Sequence, residues 1–346
     1  MLGKIGFGTF GSDRYDSETV AQAVYEAIRC GYRTFDCASV YGNEKQIGTV
    51  FQRAFAAELV TREEMTVISK VWNDCHGEGE VLASCRQSLN DLGLDYLDLY
   101  ILHWPFPNSH AKGCSGDSRN PSSRPFFVED FMIAWRQMER LKKEGLVREI
   151  AVSNMTIPKL EAILPLCEIP PFANEMELHP SFQQPELYSY CKSHNMEIIG
   201  FCPLGSPNRP ERDRTEGDIS DIKMEIIQEL ALQYHCSPQE ICIKWAVTRG
   251  HTPIPFSGNP INIAANLAAA QEKLSEEDMA RIALADRNCR LVKGQVFLWQ
   301  GADDWRELWD LDGHLAHWIY DENRWIKENV CLLYTSPSPR DGLLSR

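Results

Sequence analysis

No apolar run in this chain of 346 residues approaches the roughly 18 residues that a membrane-crossing helix needs. No basic stretch followed by an apolar one opens it, so a cleavable leader is not expected and the chain is read as cytoplasmic. Clusters of Lys and Arg are also lacking. With 35 cations against 49 acids the net charge is −14, which argues against binding nucleic acid through its phosphates. None of the 12 cysteines forms a Cys-x-x-Cys pair, and most fall within helix or strand patterns, as at Cys30, Cys85 and Cys191. They are read as reduced core thiols in a reducing compartment. Cys75-His76 has no second pair at ligand spacing, so no metal site is expected. No repeat of 20–50 residues marks a solenoid.

What the chain does have is alternation. Apolar strand-like runs end near Phe7, Asp36, Lys70, His103, Ser153, Glu175, Phe201 and Phe256, and helical stripes separate them. Clear examples of the stripes are Val20-Val24-Ala27-Ile28, Phe131-Trp135-Met138 and Pro185–Ser193. Eight strands alternating with helices predict parallel strands and favour a single-domain (β/α)8 TIM barrel, with an open doubly wound sheet as the alternative. Gly6-Phe7-Gly8-Thr9-Phe10-Gly11 matches Gly-x-Gly-x-x-Gly, yet no helix opens at its last glycine. Residues 12–16 intervene, and Ser17 is the expected N-cap. The glycines are therefore read as a strand end where backbone approaches backbone. Residues 106–126, rich in Ser, Pro and Gly, form a long loop after the fourth strand, where it would overhang a barrel mouth.

Chemistry gathers at the strand ends. Asp36 closes the second strand, Tyr41 stands five residues on, Lys70 closes the third strand and His103 follows the fourth. A free phenol, with a pKa of about 10, is a slow proton donor at neutral pH. An adjacent ammonium favours the phenolate and is expected to lower that pKa, a carboxylate behind the ammonium keeps it charged, and a neutral imidazole can polarise a carbonyl oxygen. The four groups together suit proton donation to an oxygen that gains charge as a carbonyl accepts hydride.

The words FDCASVYGNE, LGLDYLDLYILHWP, AVSN and NEMELHP, with the spacing of Asp36, Tyr41, Lys70 and His103, resemble the aldo-keto reductase family from about Ile5 to Asp286. The resemblance implies hydride transfer from NADPH or NADH to a small aldehyde or ketone, a sugar among the candidates, by a monomeric barrel without metal. Tyr41 would donate the proton, Lys70 and Asp36 would tune it, and His103 would orient the carbonyl. Gly8, Thr9, Ser153, Asn154, Glu175, Phe201, Leu204, Ser206, Phe256, Ser257, Asn262 and Asn266 would contact the cofactor, while Phe10, Trp72 and Trp104 would line the substrate pocket. Three residues depart from the family pattern. Glu175 replaces Gln, and a carboxylate there can accept but not donate a hydrogen bond. Phe256 and Asn262 replace a Lys and an Arg that grip the 2′-phosphate of NADPH, which weakens the expected preference for that cofactor. The N-terminal hairpin of the family is not evident.

Expected boundaries are a barrel over residues 1–286, a Trp-rich extension over 287–330 and a non-native tail over 331–346. The extension is read either as a cover on the barrel wall or as a flap adding aromatic surface to the substrate site. His314 and His317 would share one face if they lay on a helix. The tail opens with CLLYTSPSPRD, which resembles a translated sequencing adapter and has no foldable pattern. Competing functions are a nicotinamide-binding barrel serving as a regulatory or structural subunit, a ligand-binding scaffold, and a glycosidase. The last would need two carboxyls across the scissile bond, whereas Glu175 and Glu177 share one strand.

Overall fold

A computed structural model describes residues 2–11, 14–106, 110–112, 116, 118–120, 122–206, 209–211, 214–302 and 304–328. The tail expected to be non-native, 331–346, lies outside the described residues. Eight strands pair in parallel and in chain order: β1 Phe7–Gly8, β2 Thr34–Asp36, β3 Thr66–Val71, β4 Leu97–Leu102, β5 Val147–Ser153, β6 Ala173–Glu177, β7 Glu197–Phe201 and β8 Thr252–Pro253. The ring closes where Gly6 and Gly8 donate N–H groups to the carbonyls of Pro253 and Pro255, at 2.9 and 3.0 Å. A sequential order without reversal excludes the doubly wound alternative. Closure also explains the glycine run. A Cβ on Gly8 would stand 2.8 Å from the Ile254 carbonyl oxygen, and one on Gly6 would stand 2.9 Å from the Ile254 side chain.

The helices are α1 Ser17–Cys30, α2 Glu44–Ala56, α3 Glu80–Leu92, α4 Val128–Lys143, α5 Ile157–Ile163, α6 Pro185–Ser193, α7 Glu225–Gln233, α8 Pro238–Arg249, α9 Pro260–Ala269 and α10 Glu276–Ala283. Their apolar stripes cover the outer faces of the strands. Asp16, not Ser17, caps α1, because its carboxylate accepts from the Thr19 N–H at 2.8 Å. Gly31 then ends the helix at φ 108°, a conformation that side chains resist. The sequence pattern does not reveal α10. Its first turn is almost entirely acidic, which suits a helix N-terminus but masks the apolar stripe.

The barrel interior follows from the two-residue period of strands. Ile68, Leu99, Ile101, Ala151, Ala173, Ile199 and Ile254 fill it as one apolar cluster. Two residues further along the same strands come Lys70, His103, Ser153, Glu175 and Phe201. Alternation thus lays a mostly polar tier directly on the apolar filling, at the C-terminal end of the barrel.

Residues after Asp286 run over this same end. Phe297, Leu298, Trp299, Leu308, Trp309 and Trp318 pack with Trp72, Trp104 and Phe106 in one buried cluster. The segment ends in an antiparallel hairpin, β9 His317–Asp321 and β10 Arg324–Glu328, turned by Glu322 and Asn323 at φ 45° and 64°. His314 and His317 therefore share no helix face. His314 precedes the hairpin in a turn, and the His317 ring pairs with Glu328 at 2.7 Å.

Candidate active site

The polar tier opens into a cavity of about 880 Å³. Beneath it Lys70 is fully buried. Its ammonium lies 2.5 Å from Asp36 Oδ1, 3.2 Å from the Cys37 carbonyl and 3.4 Å from Glu175 Oε1. The ammonium also sits 5.3 Å from the Tyr41 ring centre, within hydrogen-bond reach of the phenol. The Tyr41 ring meets His103 edge-on at 5.7 Å and Phe10 at 5.1 Å, and Trp72 meets His103 at 5.1 Å. The four residues expected to act together do converge on one spot.

Backbone geometry holds them there. Tyr41 ends a short 3-10 turn, Ser39–Tyr41, closed by Gly42 at φ 66°, and the Ser39 hydroxyl donates to the Lys70 carbonyl at 3.1 Å. Thr9 donates from both N–H and hydroxyl to the Asp36 carbonyl, and Asn43 donates to the Thr9 carbonyl. Asn154, at φ 58°, donates to the His103 carbonyl at 3.1 Å and to Ser153 Oγ at 3.1 Å.

Burial changes the acid–base picture. It pushes the Tyr41 phenol above its usual range, and the opposing pull of Lys70 does not reverse this. The direction is therefore opposite to the lowering expected from spacing, because burial opposes the ammonium. Tyr41 does carry its proton at neutral pH, as a proton donor must. Burial also favours the neutral form of Lys70, but Asp36, Glu175 and Tyr41 together hold it charged, above its ordinary value. His103 is driven well below its usual range by burial, with Lys70 adding to the effect, so it stands neutral at pH 7. Burial raises both Asp36 and Glu175. For Glu175 the proximity of Asp36 adds to burial, Lys70 opposes both, and the pKa comes to about 8. A carboxyl raised in this way is biased toward keeping its hydrogen, and a protonated Glu175 donates as well as accepts.

Ser153, Asn154, Glu175, Phe201, Leu204, Ser206, Phe256, Ser257, Asn262 and Asn266 line the cavity together with Gly8 and Thr9. Asn154 Oδ1 and Glu175 Oε2 are buried and find no hydrogen-bond partner among the described residues. A planar amide offering both donor and acceptor fits such a pair, so the residues present suit a nicotinamide carboxamide. Phe256 packs edge-on against Phe7 at 5.7 Å and Tyr15 at 5.4 Å, forming an aromatic wedge in place of a cation. Phe10 is 43% exposed at the mouth, whereas Trp72 and Trp104 are buried and rest on Phe297 at 5.6 and 4.4 Å.

Sequence reasoning missed several lining residues: Arg14, Tyr15, Arg209, Val292, Gln295 and Phe297. Arg14 and Tyr15 follow the glycine run and could have been suspected from it. The others lie on irregular segments with no periodicity to mark them. Among the described residues no three side chains of metal-ligating type gather, and no helix is long and apolar enough to cross a membrane.

Comparison with known proteins agrees with this geometry. The profile of the Aldo/keto reductase family matches residues 4–287. An aldo/keto reductase of Synechocystis sp. is 38% identical over 309 residues, spanning 88% of this chain and 92% of its own. Aldo-keto reductase family 1 member A1-A of Danio rerio is 35% identical over 305 residues, spanning 88% and 92%. The crystal structure of a Bombyx mori aldo-keto reductase in complex with NADP superposes with a TM-score of 0.74 at 31% identity, covering 84% of this chain and 91% of that one. The chain belongs to the aldo/keto reductase family. It is an NAD(P)H-dependent oxidoreductase that reduces carbonyl compounds.

Proposed function

We propose that this enzyme reduces a small aldehyde or ketone to an alcohol, with Tyr41 as the proton donor, and that it favours NADH over NADPH. The observation that carries the reading is the buried Lys70 ammonium, fixed by Asp36 at 2.5 Å beneath the Tyr41 ring. A reduced nicotinamide supplies the hydride when bound. Asn154, Ser153 and Glu175 would hold its amide, and the Phe201 ring would offer a stacking face. His103, neutral, orients the carbonyl oxygen by hydrogen bonding. Tyr41 passes its hydroxyl proton to that oxygen as negative charge builds there, and the Lys70 ammonium stabilises the phenolate left behind.

The far end of the cavity supports the cofactor preference. Phe256, Ser257, Asn259, Asn262 and Asn266 bring no charge to the lining, and the cations that line the cavity are Arg14 and Arg209. A 2′-phosphate would lose charge-assisted hydrogen bonds of roughly 1.5–3 kcal/mol each relative to a site with cations. Aromatic faces of Phe10, Trp72, Trp104 and Phe297 flank the tetrad, which favours an apolar or aromatic aldehyde over a sugar. The enzyme is taken to act as a monomer.

The test pairs a substrate panel with the Tyr41→Phe variant. Benzaldehydes, aldoses and ketones are offered with each cofactor, and cofactor binding is followed by fluorescence. Tyr41→Phe should lose about 10²–10⁴-fold in kcat, the usual worth of a general acid, while cofactor Kd stays within a few-fold. Retained turnover in this variant would remove Tyr41 from the mechanism, and a thousand-fold preference for NADPH would defeat the cofactor reading.

A further inference from the structure

The tetrad residues leave one charged neighbour unexplained. Among the described residues, both Asp36 and Glu175 form their ion pairs with the same ammonium, that of Lys70. All three side chains are buried, with 0%, 3% and 4% of their surface exposed for Lys70, Asp36 and Glu175. Two ionised carboxylates would leave the cluster with an uncompensated negative charge among side chains that are almost wholly buried, and like charges sharing one site do not both ionise. Geometry also indicates where the hydrogen resides. Asp36 has the closer contact with Lys70 and keeps the charge. Glu175 has only the longer one, its Oε2 receives no hydrogen bond, and Asp36 is within hydrogen-bond reach of its carboxyl.

We propose that Glu175 and Asp36 share one proton above Lys70, and that this proton, by keeping the cluster neutral overall, makes Glu175 a positioning residue for proton donation by Tyr41. The inference rests on the proposed role of Tyr41. Loss of the proton sets a second negative charge beside the phenol and makes the phenolate harder to form. No atom is transferred to substrate from Glu175. The proton remains between the two carboxyls, and Tyr41 alone gives up its hydrogen.

The groups that face Glu175 come from every neighbouring strand. Asp36 comes from β2, Tyr41 from the turn after it and Lys70 from β3. His103 at the end of β4 stands beyond Lys70, β5 offers the uncharged Ser153 and Asn154, and β7 offers Ile199 and Phe201. Lys70 and Tyr41 are both raised above their ordinary values and His103 is held well below its own, while burial and the neighbouring Asp36 raise Glu175 to about 8, so among these groups the shared proton is the one that leaves on the alkaline side of neutrality.

Two measurements on the full chain test this. Difference infrared spectra between pH 6.5 and 9.5 should contain the carbonyl stretch of a protonated carboxylic acid, lost on raising the pH and absent in Glu175→Gln. In the second, kcat for reduction of an aromatic aldehyde by NADH should fall about tenfold between pH 7 and 9 in the wild type, following one proton with a pKa near 8. Glu175→Gln, neutral at every pH, should lose that alkaline limb, whereas a purely structural role would lower kcat without changing the profile. The inference is overturned if the acid band is missing from wild type at pH 6.5, or if Glu175→Gln retains the same limb. Absence of turnover at any pH together with a clear acid band would overturn the role in reduction while leaving the shared proton in place.

Discussion

Replacing Lys70 by Met provides a severe test of the tier's electrostatics, because it removes the ammonium and keeps most of the side-chain volume. With Lys70 gone, neither Asp36 nor Glu175 has a counter-ion, and both must be protonated to remain buried. The wild type already holds one proton there, so the variant takes up one more. An Asp in an unfolded chain has a pKa of about 3.9, so protonating it at pH 7 costs about three units at 1.4 kcal/mol each, or about 4 kcal/mol. That falls within the roughly 3–5 kcal/mol seen when one partner of a buried pair is removed. The sign follows from proton counting. The folded variant binds a proton that its unfolded chain has released, so its stability decreases as pH rises. At pH 5 the same sum gives a penalty of only about 1–2 kcal/mol. Thermal melts followed by circular dichroism at pH 5, 6 and 7 read this directly. At about 2 °C or more per kcal/mol, the deficit against wild type should reach about 8 °C at pH 7 and shrink to a few degrees at pH 5. A deficit independent of pH, or larger at pH 5, would refute the account of two carboxyls around one ammonium.

The remaining predictions concern the rim and the far end of the cavity. His179, buried, lies 2.9 Å from Glu177 and 2.7 Å from Asp221; burial opposes its charge, but Asp221 and Glu177 raise its pKa to about 9. A raised histidine stabilises fully below its unfolded value of about 6.5 and loses that contribution as pH climbs through about 9, so His179→Gln should cost roughly 3 kcal/mol at pH 6 and much less at pH 9.5, as read by urea melts. Phe256→Lys with Asn262→Arg should improve NADPH binding by about tenfold or more per cation, leave NADH nearly unaffected, and reveal itself in KM for the two cofactors.

Much of the site was legible because strand ends are fixed by hydrophobic runs. Asp36, Lys70 and His103 each close an apolar stretch, and alternation then dictates that they face the same way as Ile68, Leu99 and Ile101 two or more residues back. Charge and burial together were not legible. Spacing alone predicts a phenol lowered by Lys70, yet Tyr41 is partly buried at the barrel end, and local spacing contains no measure of how much water a barrel excludes. Glu175 reads as an acceptor for the same reason. Its proton depends on Asp36, which lies 139 positions earlier, and on a third residue that has only one charge to give. Gln295 and Phe297 were invisible because a single 3-10 turn is too short to show a period, and Phe297 reaches the mouth through its packing on Trp72 and Trp104.

That packing shows why the segment after α10 bears on the chemistry. Glu177 sits two residues beyond Glu175 on β6 and accepts N–H bonds from Leu291 and Val292 at 2.7 and 2.9 Å. His179 then links Glu177 to Asp221, which itself accepts from the Ser181 N–H. A neutral imidazole has one N–H and can serve one carboxylate, whereas the charged ring serves both. Lys293 joins Asp218 at 3.0 Å, and Lys159, buried, pairs with Asp310. Two ion pairs, Lys293–Asp218 and Lys159–Asp310, and the two N–H bonds to the Glu177 carboxylate therefore fasten the segment to the loop after β7, to α5 and to β6. The apolar cluster of Phe297, Leu298 and Trp309 packs on Trp72 and Trp104 next to these contacts, and Phe297 lines the cavity together with Tyr41 and Glu175. Cutting one tie should therefore be felt at the tetrad as added water, and hence as a change in proton affinity, before it is felt as loss of the barrel.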